Sequence, residues 1–199
     1  MGETDTIKQV VAELQRVVDG VQPDQLDNPT GCTEWSVRDV VNHITGGSIM
    51  FAECVEQGAV SDERLGQLMA GDNLGDDPKG AFRAATEKAT AAFDAPGALE
   101  KMVTLPFGTM PAGIAMQIAI FDLMTHACDI AKATGQEVKD AEMLEVALAT
   151  GKQMVGPDLR QPGLFDPEVA CGANASPADK LLAFAGRIIA AVEERFGVT

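Results

Sequence analysis

The 199-residue chain carries 30 acidic side chains against 15 basic ones, a net charge of −15, with four cysteines, one tryptophan, no tyrosine and two histidines. A share of 46% hydrophobic and 23% charged residues describes a soluble globular protein, and at roughly 100–200 residues per domain a single domain over 1–199 is expected. The acidic excess repels phosphate backbones and anionic headgroups, which sets aside nucleic acid and membrane surfaces as partners.

Along the chain the apolar positions follow a helical period. Ile7, Val10, Val11, Leu14, Val17, Val18 and Val21 form one stripe and predict a first amphipathic helix, to which the opening Met1–Gly2 segment is a lead-in. Ser36 with Asp39 three residues on has the capping-box spacing and predicts a second helix running to Gly58. A third is expected over Asp76–Asp94, with Phe82, Ala85, Ala89 and Phe93 inward, and Pro96-Gly97 ends it. Lys101–Phe107 reads as a brief extended segment. Pro111 suits the first turn of a fourth helix closed by Gly135, and a fifth is expected over about 141–155. Ser176-Pro177-Ala178-Asp179 then starts a sixth, with Leu181, Phe184, Ile188, Val192 and Phe196 inward. The fold class is therefore all-α, four long helices with shorter additions.

The fourth helix carries the chemistry. Its apolar residues point in nearly every direction, so it belongs inside the bundle, yet Ala115, Ala119, Asp122, His126, Asp129 and Ala133 share one narrow stripe. A carboxylate in apolar surroundings is costly unless a cation or several donors meet it, and no Lys or Arg lies on that helix before Lys132. The other histidine, His43, lies on the second helix in line with Gly47. Gly46-Gly47 in mid-helix costs about 1 kcal/mol per glycine relative to alanine, a sign that something approaches closely. His43 with Asp122 and His126 offers three ligands of hard-to-borderline character, suited to zinc, nickel, manganese or iron, with a position left open for water or a thiol. The spacing alone leaves open that Asp122 pairs with His126 or caps a loop, and that each histidine is a hydrogen-bonded core residue. Asp129 reads either as a partner steadying His126 or as a residue on a wetter edge. Trp35 reads as packing the start of the second helix. Cys54 and Cys128 read as small buried hydrophobes, and the four cysteines, without a CxxC pair or a leader segment before them, point to a reducing cytoplasm.

Cys32-Thr33-Glu34-Trp35-Ser36-Val37-Arg38-Asp39-Val40-Val41-Asn42-His43 resembles a signature of actinobacterial metal-binding proteins related to the N-terminal domain of mycothiol-dependent maleylpyruvate isomerase, within the DinB/YfiT-like superfamily. Phe121-Asp122-Leu123-Met124-Thr125-His126-Ala127-Cys128-Asp129 through Gly135, and Leu181-Leu182-Ala183-Phe184-Ala185-Gly186-Arg187, resemble two further segments of the same group, in the same order. The resemblance implies an up-down-down-up four-helix bundle whose divalent metal is held by His43, Asp122 and His126. It also implies mycothiol as a cosubstrate. Asp122 stands where the isomerase has Glu, Ala127-Cys128 replaces a more usual Gly-Trp, and the isomerase's C-terminal domain has no room after about residue 160, so maleylpyruvate isomerisation itself is not expected.

Three readings of function stay open on the sequence. The first is a metal-dependent enzyme using a small thiol in a transferase or isomerase-type reaction on a small electrophile. The second is a hydrolase using metal-activated water, with Asp129 or a nearby acid moving protons. The third is a non-catalytic metal or small-ligand binding protein. A homodimer through helix faces is compatible with all three.

Overall fold

The stripe that begins at Ile7 becomes α1 (Asp5–Gly20) in the computed structural model, which describes residues 2–32, 34–160 and 165–187. Ile7, Val10, Leu14, Val17 and Val18 are its buried face. A short 3-10 turn (Pro23–Gln25) leads through a loop to α2 (Val37–Gln57), where Ser36 and Asp39 form the expected reciprocal cap. Next come α3 (Asp62–Ala70) and α4 (Pro78–Asp94), the latter burying Phe82, Ala85, Ala89 and Phe93 as the period predicts. The extended segment is β1 (Met102–Leu105), paired antiparallel with β2 (Gly108–Pro111) in a hairpin whose outer residue, Thr104, bonds to the Gly58 carbonyl at the end of α2. Pro111 caps α5 (Ala112–Thr134) rather than opening its first turn; Gly135, left-handed at φ 70°, closes it. α6 (Ala141–Met154), a 3-10 turn (Pro157–Leu159) and α7 (Pro177–Phe184) complete the described chain.

Contacts between helix ends fix the topology. Lys79 and Arg83 at the start of α4 reach Asp19 at the end of α1, while Lys8 at the start of α1 pairs with Asp94 at the end of α4, so these two run antiparallel. Lys88 of α4 meets Glu56 of α2, both near their C-terminal ends, so these run parallel. Asn28, just before α2, donates to the Ala133 carbonyl, and Gln136 donates to the Val17 carbonyl; α5 is thus antiparallel to α2 and parallel to α1. The order α1, α2, α4, α5 is up-down-down-up. By length and composition α5 could cross a membrane, but 78% of its most apolar window is buried inside the protein, and it is the central helix of the bundle.

Two differences from the sequence expectation concern short elements. α3 falls between the second and third predicted helices, where no element was predicted; Ser61 caps it by accepting from the Arg64 N–H, and Leu68 is buried beneath it. The C-terminal helix was expected to run to Phe196, yet α7 ends at Phe184. Gly186 takes φ 83° and the Arg187 N–H bonds back to the Leu182 carbonyl, a left-handed closure that ends α7. Ile188, Val192 and Phe196 lie outside the described residues.

Candidate metal centre

α2 and α5 cross so that His43, in the second turn of α2, faces Asp122 and His126 on α5. The predicted helical neighbours Asp122 and His126 do project side by side, and the three residues come together with their donor atoms all within 4.8 Å of one another. The nearer Asp122 oxygen is 3.6 Å from His43 Nε2 and 3.5 Å from His126 Nε2. Those distances are too long for good hydrogen bonds, which lie at roughly 2.7–3.2 Å. They are close to the separation of about 3.3–3.6 Å expected between ligand atoms sharing a tetrahedral zinc at ~2.0–2.2 Å. The donor set, two imidazoles and one carboxylate, fits a borderline divalent ion.

Exposure shows where the site opens. His126 is 5% exposed, whereas His43 and Asp122 keep 31% and 33% of their side-chain surface, so any ligand enters on the side of that pair. Burial resists the charge of Asp122, but the two facing imidazoles outweigh it and hold its pKa down at about 2. Burial likewise opposes charging His43, and the Asp122 carboxylate overrides this to raise its pKa.

Behind His126 lies a second layer. Asp129, with a fully buried side chain, stands 3.0 Å from His126 Nδ1, and Arg187 approaches its two oxygens through Nε at 3.3 and 3.4 Å. An ionised carboxylate only accepts, so this contact places the His126 proton on Nδ1 and leaves Nε2 facing the cluster. Burial opposes the Asp129 charge, and His126 and Arg187 together keep its pKa below the ordinary carboxylate value. Asp129 is thus the partner steadying His126, and not a residue on a wetter edge.

Two contributors have roles that the sequence did not disclose. Trp35 does more than pack the start of α2: its ring lies 4.8 Å from that of His43 and, stacked at 25°, 6.0 Å from that of His126, and so walls the cluster. Its position is set by a local turn, in which the Thr30 N–H and hydroxyl both donate to the Trp35 carbonyl. Arg187 lies 58 residues from Asp129, and although it ends the 181–187 segment noted above, nothing local in the sequence pairs it with Asp129. The cysteines are not a nucleophilic set. Cys128 is buried and its thiol pKa is pushed up by burial, and burial raises Cys32 to about 11. Cys54 bonds weakly to the Thr104 carbonyl at 3.4 Å. Gly46 is explained by α3: a Cβ there would stand 2.4 Å from the Leu68 carbonyl oxygen, whereas Gly47, one turn from His43, has nothing within 4 Å.

The up-down-down-up helical bundle is of the DinB-like class. The chain belongs to the mycothiol maleylpyruvate isomerase N-terminal domain family, whose profile matches residues 7–131. Two uncharacterized proteins of Mycobacterium tuberculosis, from strains CDC 1551 / Oshkosh and H37Rv, are each 34% identical to it over 171 residues, 85% of this chain and 88% of theirs. Among solved structures, the mycothiol-dependent maleylpyruvate isomerase superposes with a TM-score of 0.62 at 17% identity, and a histidine-to-alanine variant of it with 0.61 at 16%. The match covers 74% of this chain but 65% of the isomerase, so the likeness is one of fold.

Proposed function

We propose that this protein is a divalent-metal protein that works with a small thiol of the mycothiol type on a small electrophile. The convergence of His43, Asp122 and His126 within 4.8 Å carries the reading. His43 and Asp122 border the open side, where a ligand sulfur has access, and Trp35 offers a flat apolar wall beside it. A divalent ion bound by these three residues would favour loss of a proton from a thiol placed at the open position. The reaction class is transfer or isomerisation: the sulfur adds to an activated carbon, an S–C bond forms as the carbon's π bond breaks, and the thiol proton either quenches the adduct or departs again with the thiol. A cytoplasmic setting belongs to the same reading, and the free state of Cys32, Cys54, Cys128 and Cys171 suits it. For the hydrolase alternative, Asp129 is an unfavourable proton carrier, because it is enclosed between His126 and Arg187, and a nearby acid would have to take that part.

The test is metal analysis of purified protein followed by turnover of activated alkenes with and without mycothiol. Stoichiometric metal that disappears in His43→Ala and His126→Ala, together with thiol-dependent turnover, is the expected result. Metal without any effect of thiol would favour a binding protein, and absence of both would remove the proposal.

A further inference from the structure

We propose that Arg187 is a positioning residue of the cluster: by holding Asp129 it fixes His126 with the proton on Nδ1 and the Nε2 lone pair directed at Asp122 and His43. The inference rests on the metal reading for its consequence, though not for its geometry. Three observations carry it. Asp129 has no exposed side-chain surface and Arg187 has 14%, so water competes little for either group. The guanidinium addresses both carboxylate oxygens through long contacts, Nε shared between them at 3.3 and 3.4 Å and Nη2 at 3.4 Å, and a planar donor group spanning a carboxylate biases its orientation as a point charge does not. The same carboxylate oxygen that faces Nη2 stands 3.0 Å from His126 Nδ1, so the orientation set at one end is passed to the imidazole at the other.

The chain is built to deliver this residue. α7 stops at Phe184, Gly186 turns at φ 83°, and the Arg187 N–H closes the turn on the Leu182 carbonyl. A Cβ on Gly186 would stand 2.7 Å from Asp166 Cβ, so the turn is also packed from outside. On the other side Gly31 lies against the pair: a Cβ there would make ordinary van der Waals contact with Asp129 Oδ1 at 3.4 Å and Arg187 Cβ at 3.7 Å. Arg187 lies beyond residues 7–131, the part matched by the family profile, so the layer behind His126 is completed by a segment outside that region.

The experiment compares wild type, Arg187→Met, Arg187→Lys and the double variant Asp129→Asn/Arg187→Met. Zinc affinity is read by chelator competition, and the His126 tautomer by long-range 15N–1H spectra of the metal-free protein. Loss of a partner behind a metal-ligating histidine typically weakens binding about 10- to 100-fold. Arg187→Met is expected to weaken zinc by about tenfold or more and to lose the Nδ1–H signature, with part of both recovered in Arg187→Lys. If stranding Asp129 unfolds Arg187→Met, the double variant removes both buried charges and keeps the comparison open; it too should bind weakly. Affinity within twofold of wild type with an unchanged tautomer in a folded Arg187 variant overturns the proposal. A wild type that shows the Nδ1–H tautomer and its dependence on Arg187, yet binds no zinc, overturns the metal reading instead.

Discussion

The two adjacent glycines of α2 provide a direct test of how the helix carrying His43 is seated. In Gly46→Ala the new Cβ would lie 2.4 Å from the Leu68 carbonyl oxygen and 2.7 Å from Asn73 Nδ2. Neither neighbour yields cheaply, because the oxygen is backbone and the Asn73 amide already donates to it at 2.9 Å. Overpacking of this kind costs about 3 kcal/mol, and the gain in helix propensity returns about 1, leaving about 2 kcal/mol of destabilisation. Gly47→Ala meets nothing within 4 Å and should keep the propensity gain of about 1 kcal/mol. At roughly 2–4 °C per kcal/mol for a chain of this size, the two variants should melt about 6–12 °C apart on opposite sides of wild type. Thermal unfolding by circular dichroism, run with chelator so that bound metal does not shift the midpoint, reads the difference. Equal melting temperatures, or Gly46→Ala the more stable, would refute the packing of α3 on α2.

Three further outcomes are expected. Burial opposes the Glu13 charge, but Arg16 and the Lys139 and Asp140 N–H groups outweigh it and lower its pKa, so its contribution is fully present above the ordinary value of 4.5 and fades as pH falls through the depressed folded value. Glu13→Gln should therefore be less stable than wild type at neutral pH and converge with it in acid, as urea titrations across that range would record. Nickel or cobalt at the cluster should quench the fluorescence of Trp35, the sole tryptophan, and His126→Ala should abolish the effect; quenching that survives in the variant would place the ion elsewhere. Gly186→Ala combines a left-handed φ with a 2.7 Å approach to Asp166 and should cost about 3 kcal/mol, with a parallel weakening of zinc if Arg187 is displaced.

What could be read from the sequence was whatever rests on local periodicity or a short spacing. The stripe of α1, the Ser36 cap and the pair Asp122 and His126 depend on residues within one or two turns of each other, and their placement follows from the helix itself. α3 escaped because nine residues with a single fully buried side chain offer too little period to stand out from loop. The overrun of the last helix came from following its apolar residues past Gly186, where backbone closure rather than hydrophobicity ends it. Gly46-Gly47 signalled a close approach, and at Gly46 the close neighbour is the end of α3, which only the tertiary structure brings there. The partnership of Asp129 with His126 was one of two readings, and choosing between them required the burial that Arg187 supplies from the far end of the chain.

The cluster therefore has a front and a back with different origins. The front, His43 and Asp122, comes from two helices inside the family-matched region and keeps about a third of its surface open. The back, Asp129 with Arg187, is closed and depends on a turn after α7. A chain can change what it admits at the front by altering Gly47, Trp35 or the length of the acid at 122 without disturbing the back. A change in the C-terminal turn, by contrast, acts on the cluster only through the orientation of His126, and should alter how tightly an ion is held before it alters which small molecule is taken.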